Sequence, residues 1–264
     1  MPTERLNGID LHWERQGEGP RLLLFNGSGS TIEAMRPLFD MLGGSFDVVL
    51  HDQRGLGLTE VPAGPYEMAD YAADAVALLD HLGWDSCRVM GISFGGMVAQ
   101  EFAVTVPDRV ERLALLCTSP GGEGGASYPL HELVSMEEDE RAALGLWLMD
   151  TRFTPEWLAD HPADRGLAQA MTARPQPAPG SDAARGAALQ LDARSRHDVW
   201  DRLPSLTVPT LVAAGRYDGI APLENAEAIA ARIPGARLRV YEGGHAFFMQ
   251  DAQAFPEVIG FLLG

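Results

Sequence analysis

Lysine is absent from this 264-residue sequence, and all 20 of its basic residues are arginine. A Walker A phosphate-binding loop requires a lysine, and so does the Schiff base that holds pyridoxal phosphate. The sequence therefore excludes both kinds of site.

Cysteines and long apolar runs are also scarce. Only Cys87 and Cys117 occur, at opposite ends of predicted strands, too far apart for a disulfide if those strands run parallel. We interpret both as core residues in a reducing compartment. No apolar run approaches the length of a membrane span, and residues 1–5 lack the apolar core of a signal peptide. The sequence predicts a cytoplasmic protein that does not bind membranes.

Positive charge is in short supply, since 37 acidic residues against 20 basic ones give a net charge of −17. Nucleic-acid binding needs basic contacts to the phosphate backbone, so a nucleic-acid partner is not expected. We interpret the acidic excess as a surface that keeps the protein in solution.

Predicted strands and helices alternate along most of the chain. Residues 3–15 are typical of a β-hairpin that turns at Asn7-Gly8. Further strands are predicted at 21–25, 46–50, 88–91, 113–117, 210–214 and 238–241, and helices at 68–82, 94–104, 222–233 and 255–263. This order predicts an α/β protein with a mostly parallel sheet and helices on both faces.

The alternation stops at about Ser119 and resumes after residue 203. The segment between has helical patterns at 137–150 and 184–201, separated by a Pro-rich stretch at 174–182. We predict a core of residues 1–118 and 204–264 and a helical cap inserted at 119–203.

One short motif carries the chemistry. Gly91-Ile92-Ser93-Phe94-Gly95 matches G-x-S-x-G and lies between a predicted strand and a predicted helix. A serine on such a sharp turn crowds the residues two before and two after it, and glycine relieves that crowding. The pattern predicts Ser93 as a nucleophile at a helix N-terminus, which favours a developing oxyanion.

A serine hydroxyl needs a positioned base, and the base needs an acid to orient it. Of seven histidines, His245 follows a predicted strand and Gly243-Gly244, while His51 ends an earlier strand and stays open as an alternative base. Asp218 follows the strand at 210–214. We predict Ser93, Asp218 and His245 as a catalytic triad.

The chain resembles the α/β-hydrolase superfamily over nearly its full length. The order Ser, Asp, His is typical of that superfamily. The segment from Asp52 to Thr59 resembles its D-x-R-G-x-G-x-S motif, with threonine in the last place, and we interpret it as a brace for the loop near the oxyanion hole. The chain looks most similar to small bacterial carboxylesterases and 3-oxoadipate enol-lactonases.

This resemblance implies an α/β-hydrolase fold with an eight-stranded sheet and a two-step acyl transfer. Asn26-Gly27-Ser28 stands where these enzymes usually carry His-Gly-x, so the N–H groups of Ser28 and Phe94 are expected to form the oxyanion hole. The implied function is cleavage of a small carboxylic ester or lactone, with no metal and no organic cofactor. The partner is a small-molecule substrate, and the sequence does not indicate an oligomeric state.

The same residues are also compatible with other functions. The same triad could hydrolyse a carbon–carbon bond or act as a cofactor-free peroxidase, and the fold could serve as a non-catalytic ligand-binding protein. Serine at position 93, where dehalogenases and epoxide hydrolases carry aspartate, argues against those two classes. The glycine spacing at 27–32 and 91–96 does not match G-x-G-x-x-G, so a dinucleotide site is not expected.

A mostly apolar substrate pocket is predicted under the cap. Its candidate residues are Trp147, Phe153, Trp157 and Phe247, although for any single one of them packing of the cap onto the core is favoured over contact with a ligand. The cap also holds several arginines, including Arg141, Arg152 and Arg165. One of them could bind a substrate carboxylate, but solvated surface is the expectation for each.

Overall fold

The computed structural model describes residues 3–173 and 177–264, and residues 174–176 of the predicted Pro-rich loop lie outside it. The described residues form one eight-stranded sheet in the order β1-β2-β4-β3-β5-β6-β7-β8. The strands are β1 Thr3–Leu6, β2 Ile9–Gln16, β3 Arg21–Phe25, β4 Asp47–His51, β5 Cys87–Ile92, β6 Val110–Leu116, β7 Thr210–Gly215 and β8 Arg237–Tyr241. β1 and β2 pair antiparallel and the other six strands run parallel, so the predicted sheet is confirmed.

Helices cover both faces of this sheet. The α-helices are α1 Arg36–Gly43, α2 Met68–Leu82, α3 Phe94–Thr105, α4 Glu138–Met149, α5 Pro155–Asp160, α6 Pro162–Thr172, α7 Asp182–Ser195, α8 Leu223–Arg232, α9 Phe247–Gln250 and α10 Ala254–Leu263. Because side chains alternate across a strand, Leu23 and Phe25 of β3 pack with α2, α3 and α8, whereas Leu22 and Leu24 pack with α1 and α10. The sheet is therefore buried on both sides, as its continuous apolar strands predict.

The predicted hairpin and helix bounds agree with the structure at most points. Asn7 and Gly8 both have positive φ, 45° and 77°, as a type I′ turn requires. The helix predicted at 184–201 is wrong at its end, because α7 stops at Ser195 and Val199 donates instead to the carbonyl of Pro120. The short helices α5 and α6 were not predicted.

The two cysteines lie apart, as predicted. Cys87 starts β5, and Cys117 follows the last residue of β6; both are buried and free. Burial raises the pKa of the Cys87 thiol to about 12, so that this thiol stays protonated and unreactive at neutral pH.

No helix of the described residues is both long enough and apolar enough to cross a membrane.

Candidate active site

Ser93 occupies a strained turn between β5 and α3. Its backbone has φ 57° and ψ −117°, a region that residues other than glycine rarely adopt. Its N–H donates to the carbonyl of Leu116, and its own carbonyl accepts the Thr118 hydroxyl at 2.8 Å. Bonds to β6 and the residues after it therefore hold this turn in place.

The two glycines of the motif make the turn possible. A Cβ at Gly91 would overlap the carbonyl oxygen of Gly95, and a Cβ at Gly95 would overlap the carbonyl oxygen of Phe25. All of these atoms are backbone, so they cannot rotate away as the end of a side chain would.

Substitution of Gly95 by alanine is expected to lower the free energy of unfolding by about 3 kcal/mol, since overpacking of a rigid site costs about 1–3 kcal/mol or more. Urea unfolding measures it. Gly145→Ala is the matched control, because nothing lies within 4 Å of a Cβ at that helical position. The control should be neutral or stabilising by up to about 1 kcal/mol. Equal stability of the two variants would contradict the steric argument.

Ser93, His245 and Asp218 form one hydrogen-bonded chain. His245 Nε2 lies 2.8 Å from Ser93 Oγ, and Nδ1 lies 2.8 Å and 3.0 Å from the carboxylate oxygens of Asp218. A carboxylate only accepts, so Nδ1 carries the proton and Nε2 of the neutral ring accepts from the serine hydroxyl. The structure thus brings together the three residues that the sequence singled out.

Asp218 is fixed by the turn after β7. Its side chain is fully buried, and Oδ1 also accepts from the N–H groups of Ile220 and Ala221 at 2.8 and 2.9 Å. These two amides set the plane of the carboxylate and therefore the orientation of the imidazole.

The loop of His245 is held by the end of α4. The His245 N–H donates to the carbonyl of Met149, and the side chain of Gln250 links the Gly244 N–H to the carboxylate of Asp150. The loop after β8 is thus positioned by residues from the 119–203 segment.

The two segments that carry the predicted oxyanion donors adjoin Ser93. Ser28 belongs to the loop after β3, and a Cβ on the adjacent Gly27 would lie 3.6 Å from the Ser93 Cβ. Phe94 is the first residue of α3, and the N–H groups of a first helical turn have no acceptor within their own helix.

The segment from Asp52 to Thr59 supports the loop that carries Ser28, which confirms its predicted bracing contact. Asp52 accepts from the N–H of Ile32 at 2.7 Å and from that of Leu58 at 2.9 Å. Gln53 Nε2 donates to both the backbone and the side-chain oxygen of Asn26. A buried amide network therefore supports the position where related enzymes usually carry histidine.

The alternative base His51 lies in the core. It packs edge-on against Phe25, with the ring centroids 5.9 Å apart, and neither ring nitrogen has a hydrogen-bond partner among the described residues. Burial lowers its pKa to about 4. It makes no bond to Ser93, which pairs with His245.

A buried neutral His51 should make stability sensitive to acid. The unfolded chain takes up a proton near pH 6.5, whereas the folded chain does so only near pH 4, so stability falls as the pH drops from 6.5 to 4. Between pH 7 and pH 5 this one residue should cost about 2 kcal/mol. In His51→Leu that part of the pH dependence should disappear in urea titrations. His81→Leu, at an exposed histidine, should keep the wild-type dependence, and an unchanged slope in His51→Leu would contradict the assignment.

Two of the four predicted pocket residues stack on other aromatic rings. Phe247 is buried and stacks on Tyr241 with the ring centroids 5.1 Å apart, and Trp157 stacks on His161 at 3.7 Å. Phe153 is buried, and Trp147 is among the exposed large apolar side chains. None of the four lines the cavity of about 230 Å³ that borders Met97 and Ser119.

Sequence reasoning missed Gln190, which links α7 to the loop that carries Ser28. Its Oε1 accepts the N–H of Gly29 at 2.8 Å, although the two residues are 161 positions apart. A glutamine on a polar helix gives no signal in the sequence that it will reach this loop.

The described residues hold no group of three His, Cys, Asp or Glu side chains placed to share a metal ion.

Comparisons with known proteins agree with this architecture. A family model described as the alpha/beta hydrolase fold matches residues 20–252. A pimeloyl-[acyl-carrier protein] methyl ester esterase of Vibrio vulnificus is 29% identical over 252 residues, which are 93% of this chain and 95% of the esterase. Polyketide synthase ThaQ of Burkholderia thailandensis is 34% identical over 251 residues, which are 94% of this chain but only 12% of the synthase.

A solved structure matches over the whole chain. The crystal structure of the enol-lactonase from Burkholderia xenovorans LB400 superimposes with a TM-score of 0.81 and 25% sequence identity, covering 100% of each chain. With the family model matching most of its length, this chain belongs to the α/β-hydrolase family of enzymes.

Proposed function

We propose that this protein is a serine hydrolase that cleaves a small carboxylic ester or lactone through an acyl-enzyme on Ser93. The observation that carries the proposal is the hydrogen-bonded chain from Ser93 through His245 to Asp218, built at a strained strand-to-helix turn. Similarity to an enol-lactonase and to a methyl ester esterase supports this choice of bond.

The reaction has two steps. His245 Nε2 takes the hydroxyl proton as Ser93 Oγ attacks the carbonyl carbon, and Asp218 stabilises the imidazolium that forms. The N–H groups of Ser28 and Phe94 receive the oxyanion. The imidazolium then protonates the leaving alkoxide, and the acyl group remains on Ser93.

Water completes the cycle. His245 takes a proton from water as its oxygen attacks the acyl carbon, and the acid leaves when Ser93 regains its proton. With a lactone, the alcohol and the acid are two ends of one product.

The segment 119–203 acts as a cap over this site. It contributes α4 to α7, which lie in sequence between β6 and β7. Met149 and Leu148 accept from the backbones of His245 and Gly219, and Gln190 accepts from Gly29. Contacts to three loops of the site support its role in enclosing substrate.

Reaction with a fluorophosphonate probe tests the proposal. Such a probe labels an activated serine, and mass spectrometry should locate the label at Ser93 and find none in Ser93→Ala. Ser86→Ala, at the other end of β5, is the matched control and should label like wild type. Folded protein that takes no label, or takes it at another serine, would overturn the proposal.

Labelled enzyme justifies a screen of substrates. Short-chain esters and lactones should be hydrolysed. Hydrolysis of a carbon–carbon bond, or formation of a peracid from hydrogen peroxide and a carboxylic acid, would instead show that the protein catalyses one of the other reactions that the same triad supports.

A further inference from the structure

A small cavity adjoins residues that pack near the Ser93 turn. It has a volume of about 230 Å³. Met97 lines it one turn after Ser93 in α3, and Ser119 lines it next to Thr118, whose hydroxyl donates to the Ser93 carbonyl. The other lining residues are Gly121, Ala126, Ser127, Pro129, His131, Arg194, Ser195 and His197.

Arg194 is a buried cation in the wall of this cavity. Only 4% of the residue is exposed. Nη1 donates to the carbonyl of Tyr128 at 2.8 Å, whereas Nε and Nη2 are buried without a hydrogen-bond partner among the described residues. Burial lowers the pKa of the guanidinium to about 10, so it remains protonated at neutral pH. A buried charged donor with no acceptor is costly unless something else binds it.

The side of the Arg194 guanidinium that carries Nε and Nη2 has a shape that fits a carboxylate. Nε and Nη2 point to the same side of the guanidinium and together donate to two oxygens. Elsewhere in this protein the same two nitrogens bind carboxylates, in Arg15 with Asp47, both at 2.7 Å, and in Arg54 with Asp74, at 2.8 and 2.7 Å. In Arg194 the same two nitrogens have no acceptor among the described residues.

No protein carboxylate among the described residues fills that side of the guanidinium. The lining residues include no Asp or Glu, although the chain carries 37 of them. Asp218 is near enough to act on the charge of Arg194, but its oxygens are already used by His245 and by two backbone amides. Burial lowers the pKa of the neighbouring His197 to about 3, which keeps that ring neutral.

The helix α7 places this arginine near the reaction centre. Gln190, which holds the loop of Ser28, precedes Arg194 by four residues and therefore shares its face, about 6 Å along the helix. The cavity at Arg194 and the loop of Ser28 therefore lie on the same side of α7.

We propose that Arg194 binds a carboxylate of the substrate, so that the ester or lactone cleaved at Ser93 is an anionic one. This substrate class rests on the proposed function. The carboxylate supplies the two acceptors that Nε and Nη2 lack.

Matched ester pairs test the inference. In the first pair, 4-nitrophenyl hemiglutarate carries a carboxylate at the end of its acyl chain where 4-nitrophenyl valerate carries a methyl group. In the second pair, 4-acetoxybenzoate carries a carboxylate on its alcohol part where 4-acetoxytoluene carries a methyl group. In at least one pair, Arg194→Met should lower kcat/KM for the anionic member by roughly 10- to 150-fold, as expected for hydrogen bonds to a charged group. The neutral member should change by less than about threefold, which also shows that the variant is folded.

Two further variants sharpen the result. Arg194→Lys keeps the positive charge but lacks the two parallel donors of the guanidinium, so it should restore only part of the kcat/KM that Arg194→Met loses for the anionic ester. Arg141→Met removes an exposed arginine of the same segment and should leave both members unchanged. Equal losses for anionic and neutral esters in both pairs would show that Arg194 has only a structural role.

Calorimetry separates this inference from the proposed function. Ser93→Ala should bind at least one of the two anionic esters, 4-nitrophenyl hemiglutarate or 4-acetoxybenzoate, and the added Arg194→Met should abolish that binding. Arginine-dependent binding without any turnover by wild type would keep the anion site and reject the hydrolase. Turnover that does not depend on Arg194, with no such binding, would keep the hydrolase and reject the anion site.

Discussion

Replacement of His245 by alanine is expected to lower kcat for an accepted ester by roughly 10⁵- to 10⁶-fold, since loss of the base in a serine triad costs about this much. The Ser93 hydroxyl would keep its strained turn but lose the acceptor 2.8 Å away. A residual rate above that of water should remain from the oxyanion donors. Stopped-flow assays measure the rate of the wild type, and product assays over long times measure the residual rate of the variant.

The double variant Ser93→Ala, His245→Ala should be no slower than either single one, because the two residues act as one unit. His51→Ala tests the alternative base. That ring is buried against Phe25 and makes no bond to Ser93, so kcat per folded molecule should stay near wild type. A loss at His51 as large as that at His245 would reassign the base.

Asp218→Asn is expected to lower kcat by roughly 10⁴-fold with little change in KM. The reason lies in the two backbone amides that bind Oδ1. In asparagine the amide oxygen takes that position, so the NH₂ group faces His245 Nδ1. The ring must then accept at Nδ1 and carry its proton on Nε2, the nitrogen next to Ser93, where it can no longer accept a proton.

A control must separate this tautomer effect from the loss of a buried charge near the site. Asp150 is also fully buried and close to the His245 loop, but it pairs with Arg152 and Gln250. Asp150→Asn should lower stability and change kcat by less than about tenfold. Equal losses of kcat in the two variants would argue that charge, and not the tautomer, matters at Asp218.

Several features of the fold could be predicted because their causes are local. Asn7-Gly8 predicts a tight turn, since both residues tolerate positive φ. Gly83 ends α2 in the left-handed conformation, as a glycine at that place predicts. The starts of α5 and α6 also had a local signal, because each begins at a proline, Pro155 and Pro162.

Other features depend on contacts between distant parts of the chain. The end of α7 at Ser195 is set when the following residues bond to Pro120 and Gly121. The pattern of polar residues at 182–201 does not indicate that Pro120 and Gly121 will bond to this part of the chain.

By itself, the sequence determined the alternation of strands and helices, the sharp strand-to-helix turn at Ser93 and the identity of the three residues that meet there. Each follows from local periodicity, from glycines beside one serine, or from side chains at the ends of parallel strands, which share one edge of a sheet. Only the tertiary structure decided that Gln190 binds the loop after β3 and that Nε and Nη2 of Arg194 are buried beside a cavity with no acceptor among the described residues. An arginine looks the same in sequence whether it is solvated or buried, and its surroundings arise only when elements far apart in the chain pack together.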